Sequence, residues 1–331
     1  MCILLVAGTV WERHAERAEH AALPTIGRRV DIGGRRMNIF CSGTGSPTVV
    51  FESNWGAPGF RWTYLQRAVS SFTRACWYDR AGLGWSDPGP FPNHSDGIAR
   101  DLHTLLAKAG DGPPYVFVAH AMGAFHARVF HGYYPAEVAG FVFVDPMSED
   151  LTIHIHNHIE AFRPAVLWLR GALNTVGVSR LMHRGAPPPP DHGWSPDDWS
   201  TLLALRRQIK SRVAAGQEPP LWVSGELARA AAGFGDLPVI VLTAGVQDQE
   251  EDPKLDHDHT LKLALHEKLS RLSTNGRHVI VAGSGHDIPD ENPTAVLDAV
   301  RAVVADARGR ALTTLTAQRA SRTRSQPSAQ K

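Results

Sequence analysis

Six short apolar runs punctuate the chain: VVFE (Val49–Glu52), ACWYD (Ala75–Asp79), YVFVAH (Tyr115–His120), GFVFVD (Gly140–Asp145), VIVLTAG (Val239–Gly245) and HVIVAG (His278–Gly283). Each is rich in β-branched or aromatic residues and is bounded by Gly, Pro or Asp, which predicts parallel strands buried on both faces. The stretches between them follow the helical period. In IARDLHTLLAKAG, Ile98, Leu102, Leu105 and Leu106 share one face. In NPTAVLDAVRAVVADA, Asn292 is placed to cap, Pro293 takes the first helical position, and Val296, Val300 and Val303 form a stripe. Ahead of the first run, RRVDI and RRMNIFC flank Gly33–Gly34 and predict an antiparallel hairpin. The fold class is therefore α/β, a mostly parallel twisted sheet with an N-terminal antiparallel hairpin.

One block breaks the alternation. Between Ser148 and Asp236 the pattern is helical, with a proline run at Pro187–Pro190 and no strand signal. An insertion between two core strands reads as a helical cap over the strand ends, where open α/β sheets bind ligands. The expected organisation is a core of residues 28–147 and 237–307, a cap of 148–236, an N-terminal segment of 1–27 and a basic tail of 308–331. MCILLVAGTVW is far short of the ~20 apolar residues that span a bilayer. It reads either as the inner half of an anchor or as a helix docked on the body, so membrane association is expected only through this segment and localisation stays open. The tail, basic and free of acids, reads as solvated chain without regular structure.

Composition narrows the chemistry. With 34 Lys+Arg against 33 Asp+Glu, the balance gives no reason to expect a nucleic-acid partner. Cys2, Cys41 and Cys76 are too few and scattered for a disulfide framework or a closed zinc site. His154, His156 and His158 alternate in LTIHIHNHIE, but only His154 and His158 would share a helix face, and zinc needs a third ligand. No metal or cofactor is expected.

Four local patterns, in order, resemble the α/β-hydrolase superfamily over about residues 28–305. They are FESNWGAPGFRW after the third strand, YDRAGLGWSDPG, VFVAHAMGAFHARVF, and VAGSGHDI after the last strand. The resemblance implies an esterase-like enzyme with a helical cap, a small hydrophobic ester-like substrate and no cofactor. It places the nucleophile elbow, G-x-S-x-G in the family, at Ala119–His120–Ala121–Met122–Gly123. The flanks are small, as close strand–helix packing requires, yet the nucleophile position is Ala121, and a methyl group cannot attack a carbonyl.

The other parts resemble an intact site. His286 stands where the family has its general base, and Asp248 stands at the spacing of the orienting acid. Asp145 is the rival acid, ranked second because Pro146 follows it and a solvated turn explains the pair. The N–H groups of Trp55 and Met122 resemble the two oxyanion donors, with Asn54 and His120 as substrate-binding neighbours. Ser53, Ser148 and Ser284 lie in loops at the correct strand ends, but none sits on the elbow. Asp79–Arg80 reads as a structural pair. Three functions stay open: a carboxylic-ester or lactone hydrolase impaired at position 121, a relative that only binds a small ligand, and cofactor-free base catalysis by His286 and its acid.

Overall fold

The computed structural model describes residues 2–150, 173, 175–182, 193–217, 221–231, 233–246 and 253–324. Eight strands form one sheet in the order β1-β2-β4-β3-β5-β6-β7-β8. They are β1 (Arg28–Asp31), β2 (Arg36–Ser42), β3 (Thr48–Glu52), β4 (Ala75–Tyr78), β5 (Tyr115–His120), β6 (Val138–Val144), β7 (Val239–Ala244) and β8 (Gly276–Val281). β1 and β2 form the expected hairpin, β2 also runs antiparallel to β4, and all remaining pairs are parallel.

The helices are α1 (Cys2–Ala22), α2 (Thr63–Val69), α3 (Ser95–Ala109), α4 (Gly123–Tyr133), α5 (Val178–Met182), α6 (Pro196–Arg207), α7 (Ile209–Gln217), α8 (Leu221–Ala230), α9 (Pro253–Ser270), α10 (Ile288–Glu291) and α11 (Pro293–Arg324). Because side chains alternate along a strand, β5 and β6 supply two different cores. Phe117, Phe141 and Phe143 pack with Leu102, Phe125 and Phe130 of α3 and α4 on one face. Val116, Val118, Val142 and Val144 pack with Leu65 of α2 and Val296, Val300 and Val303 of α11 on the other. This two-sided burial is why the strands read as continuous apolar runs rather than alternating ones.

β8 departs from that expectation. It is the sheet's edge strand, so Val279 and Ile280 remain 42% and 54% exposed. The tail departs too. α11 continues past residue 307 to Arg324 instead of giving way to irregular chain. Residues 308–324 are mostly Ala, Leu, Arg and Thr with no proline, and Arg308 ties the helix to the body by donating to the carbonyls of Ser46 (2.8 Å) and Phe72 (3.0 Å). Cys41 and Cys76, 35 residues apart, face one another on β2 and β4 and form a disulfide. Spacing along the chain could not reveal a neighbour that strand pairing creates.

Among the described residues between Ser148 and Asp236 there are helices and no strand. His154, His156 and His158 and the proline run lie outside the described residues. α7 lies over the loop after β3, where Trp55 Nε1 donates to the Ala215 carbonyl (2.8 Å). α1 docks on these helices: Glu12, fully buried, accepts from Arg180 (2.7 Å) and Arg212 (2.9 Å), and Glu16 accepts from the Ile209 N–H (2.7 Å). No helix among the described residues is long and apolar enough to cross a membrane.

Candidate active site

The turn from β5 to α4 carries Ala121 at φ +50°, a left-handed conformation that is uncommon for a residue with a Cβ. Three hydrogen bonds hold it there. Ala121 N–H donates to the Val144 carbonyl (3.1 Å), and its own carbonyl accepts from the N–H groups of Ala124 (3.1 Å) and Met147 (3.0 Å). The strain is thus fixed by neighbouring strand ends, and it lifts the residue 121 side chain clear of the sheet as an elbow does. Gly123 makes the turn fit. A Cβ there would lie 2.9 Å from Glu52 Cγ and from the carbonyl oxygens of Glu52 and Ser53. Because two of those contacts are backbone, Gly123→Ala is expected to lower stability by about 1–3 kcal/mol, measured by urea unfolding. A stability equal to the parent's would mean that α4 can move away from β3 at no cost.

His286, in the loop after β8, hydrogen-bonds through Nδ1 to Asp145 Oδ2 at 2.7 Å. Asp145 is at the end of β6 with φ +37°, its Oδ1 accepts from the Ala244 N–H (3.0 Å), and Lys262 of α9 stands 3.4 Å away. Burial works to raise the Asp145 carboxyl, but the His286 bond, Lys262 and the Ala244 N–H outweigh it and hold it far below the usual carboxylate range. An ionised Asp145 makes His286 Nδ1 the donor, which leaves Nε2 as the nitrogen free to take a proton. Asp248, ranked first among the acids on sequence, lies outside the described residues. Its rival Asp145 is the acid that meets the histidine.

For His286, burial pulls the pKa down, while the bond and charge of Asp145 and the charge of Asp287 pull it up more strongly, leaving it raised. An imidazole NMR titration of the unmodified chain should therefore place His286 above the ordinary value of about 6.5. In Asp145→Asn, burial is left unopposed by that partner and the midpoint should fall below it. A midpoint unmoved by the substitution would remove Asp145 as the partner.

His120 was expected to face substrate. It is instead fully buried, and its Nε2 donates to the His286 carbonyl (3.0 Å) with the two rings 4.8 Å apart. Burial, then the charge of Arg61 and that of His286, push its pKa down to about 3, so it stays neutral and serves as a tie between elbow and histidine loop. Met122 caps α4 in the αR region, and its N–H is taken by no hydrogen bond among the described residues. Trp55 and Asn54 lie in the loop after β3, above which α7 sits. Ser53 donates to the Pro58 carbonyl (3.3 Å) and Ser284 to Glu291 (3.1 Å), so both are engaged away from the elbow.

One group went unread in the sequence and another was misread. Arg61, from GFRW, donates to Asp287 (2.8 Å) and Asp290 (2.9 Å), clamping the loop that carries His286. The acids of HDIPDE beside the histidine were the available signal. Asp79 and Arg80 are not a pair. Asp79 accepts from the N–H groups of Gly59 (2.8 Å) and Trp85 (3.0 Å) and from Asn38 (3.1 Å), whereas Arg80 turns to Glu52 (2.8 Å). The three-ligand cluster found among the described residues is Cys41, Cys76 and Asp111. Its sulfurs are bonded to each other and Asp111 is paired with Arg74, so it offers no thiolate.

Residues 39–299 match the sequence model of the alpha/beta hydrolase family. The chain belongs to that family. An uncharacterized protein of Schizosaccharomyces pombe is 33% identical over 186 residues, which is 54% of this chain. The aligned region spans 32% of that relative's length. Among solved structures, the epoxide hydrolase CorEH without ligand is 18% identical at a TM-score of 0.60, covering 84% of this chain and 98% of that one. An esterase from Exiguobacterium antarcticum is 13% identical at a TM-score of 0.55, covering 85% and 100%. At such identities the likeness is one of fold.

Proposed function

We propose that this chain is the scaffold of a carboxylic-ester or lactone hydrolase of the Ser-His-Asp type, with its nucleophile position held by Ala121. The observation that carries the reading is the 2.7 Å His286–Asp145 pair beside an elbow residue at φ +50°. With a serine at 121, His286 Nε2 would accept the hydroxyl proton as Oγ attacks the ester carbonyl. The N–H groups of Trp55 and Met122 would receive the oxyanion. The proton would pass to the leaving alcohol, and water deprotonated by the same nitrogen would then release the acid. With Ala121 no atom can form the acyl-enzyme, and the chain retains binding without turnover. The substrate class is a small hydrophobic ester, a reading supported by Trp55 of the loop after β3, which meets the Val213–Ala215 stretch of α7.

A second reading, a protein that only binds a small ligand, is favoured by Ala121 itself. The deciding experiment compares the unmodified chain with Ala121→Ser, using short and medium nitrophenyl esters and a fluorophosphonate label. Turnover and labelling confined to the serine version support the hydrolase scaffold. Silence in both tests removes it and leaves the binding reading, to be pursued by ligand screening of the unmodified chain.

A further inference from the structure

Arg80 lies at the centre of the loop that would receive the oxyanion. Its guanidinium is 3% exposed and sends Nη1 to the Ser53 carbonyl (2.7 Å) and to Glu52 Oε1 (2.8 Å), and Nη2 to the Asn54 carbonyl (2.7 Å). Glu52, 1% exposed, also accepts from the Tyr78 hydroxyl. Burial raises the Glu52 carboxyl, with Arg80 and then the Tyr78 hydroxyl acting against that rise. One planar fork thus grips two successive peptide carbonyls and is itself gripped from behind.

The consequence follows from peptide geometry. In a trans peptide the C=O and the following N–H point in opposite directions. The cis bonds of the described residues are all before proline, at Ser46–Pro47, Phe91–Pro92 and Pro113–Pro114, so the Ser53–Asn54 and Asn54–Trp55 bonds are trans. With both carbonyls turned to Arg80, the N–H groups of Asn54 and Trp55 are turned away from it. We propose that Arg80 is a positioning residue for the oxyanion site: by holding the Ser53 and Asn54 carbonyls it aims the Trp55 N–H at the elbow.

The same anchor sets the spacing of the two donors. Glu52 Cγ and the Ser53 carbonyl both lie against Gly123, directly after Met122, so the Glu52–Arg80 pair abuts the start of α4 as well as the loop. A lysine could pair with Glu52 but not span two carbonyls in one plane. The proposal rests on the hydrolase reading for its chemical meaning. The bland rival is that Arg80 only neutralises a buried acid, and removing both members separates the two.

The test uses the full chain carrying Ala121→Ser, alone and combined with Arg80→Lys or with the pair Glu52→Gln and Arg80→Met. The pair removes the Glu52 and Arg80 charges together. Thermal unfolding identifies the folded variants, and kcat, KM and the fluorophosphonate labelling rate are measured on nitrophenyl butyrate. In parallel, amide NMR of the unmodified chain and its Arg80→Lys form follows Asn54 and Trp55. Misplacing a reacting group by about 1 Å costs about 100-fold, so kcat and labelling should fall by about that factor while KM moves less than about twofold. The amide signals of Asn54 and Trp55 should shift while those of β5 stay in place. Unchanged kcat in a folded double variant, or unmoved amides in Arg80→Lys, would overturn the proposal. If Ala121→Ser with native Arg80 is inert, the hydrolase reading fails and the amide comparison alone decides whether Arg80 orients the loop.

Discussion

Placing a serine at position 121 is expected to raise the turnover of short nitrophenyl esters by about 10⁶-fold over the unmodified chain, the factor lost when a serine hydrolase is stripped of its nucleophile. The size of the gain follows from how little else must change. The backbone at 121 is already held at φ +50° by Val144, Ala124 and Met147, so the substitution adds one oxygen to a preset turn. The histidine is already paired with its acid, and Nε2 is the nitrogen left free. Initial rates with active-site titration by fluorophosphonate measure it. A gain below about 10-fold with a folded protein would show that the hydroxyl and His286 do not meet.

Asp145→Asn, made in the serine version, should lower kcat by about 10⁴-fold, as loss of the orienting carboxylate does elsewhere. The two oxygens of Asp145 have different duties. Oδ1 accepts from the Ala244 N–H at 3.0 Å, and Oδ2 faces His286 Nδ1 at 2.7 Å. An asparagine keeps its carbonyl oxygen toward Ala244 and Lys262 and turns its NH₂ to the histidine. His286 Nδ1 then becomes an acceptor, its proton moves to Nε2, and the base is lost without any change of shape. Asp248→Asn is the companion variant. If Asp145 is the acid, Asp248→Asn retains activity within about threefold, well short of the loss expected at Asp145. If Asp248→Asn is the crippling change, the assignment passes to Asp248.

That choice between acids marks a boundary in what the chain discloses. The strands were legible because burial on both faces demands continuous apolar runs, and the elbow because its segment resembles the family's, down to the small flanking residues. Gly123 shows why, with Glu52 and Ser53 closing on it. His286 was legible because VAGSGHDI after the last strand resembles the segment in which the family carries its catalytic histidine. Asp145 and Asp248 each follow a core strand along the sequence, so local pattern could not separate them. Proximity to His286 could, and it joins residues 141 apart. His120 illustrates the opposite error. Its place on the elbow suggested contact with substrate, but a side chain leaving the elbow can turn inward, and this one bonds to the His286 backbone.

The amino-acid sequence by itself determined the α/β layering and the hairpin, because periodicity and steric demand act over a few neighbouring residues, and its resemblance to the family marked the elbow at Ala121 and the loop that bears His286. Only the tertiary structure decided the partners: Asp145 for His286, Glu52 and two carbonyls for Arg80, Asp287 and Asp290 for Arg61, and Cys76 for Cys41. Each joins groups that are remote in sequence and have at least one rival partner of equal chemistry. Sheet order and loop packing, which no local pattern contains, choose among them.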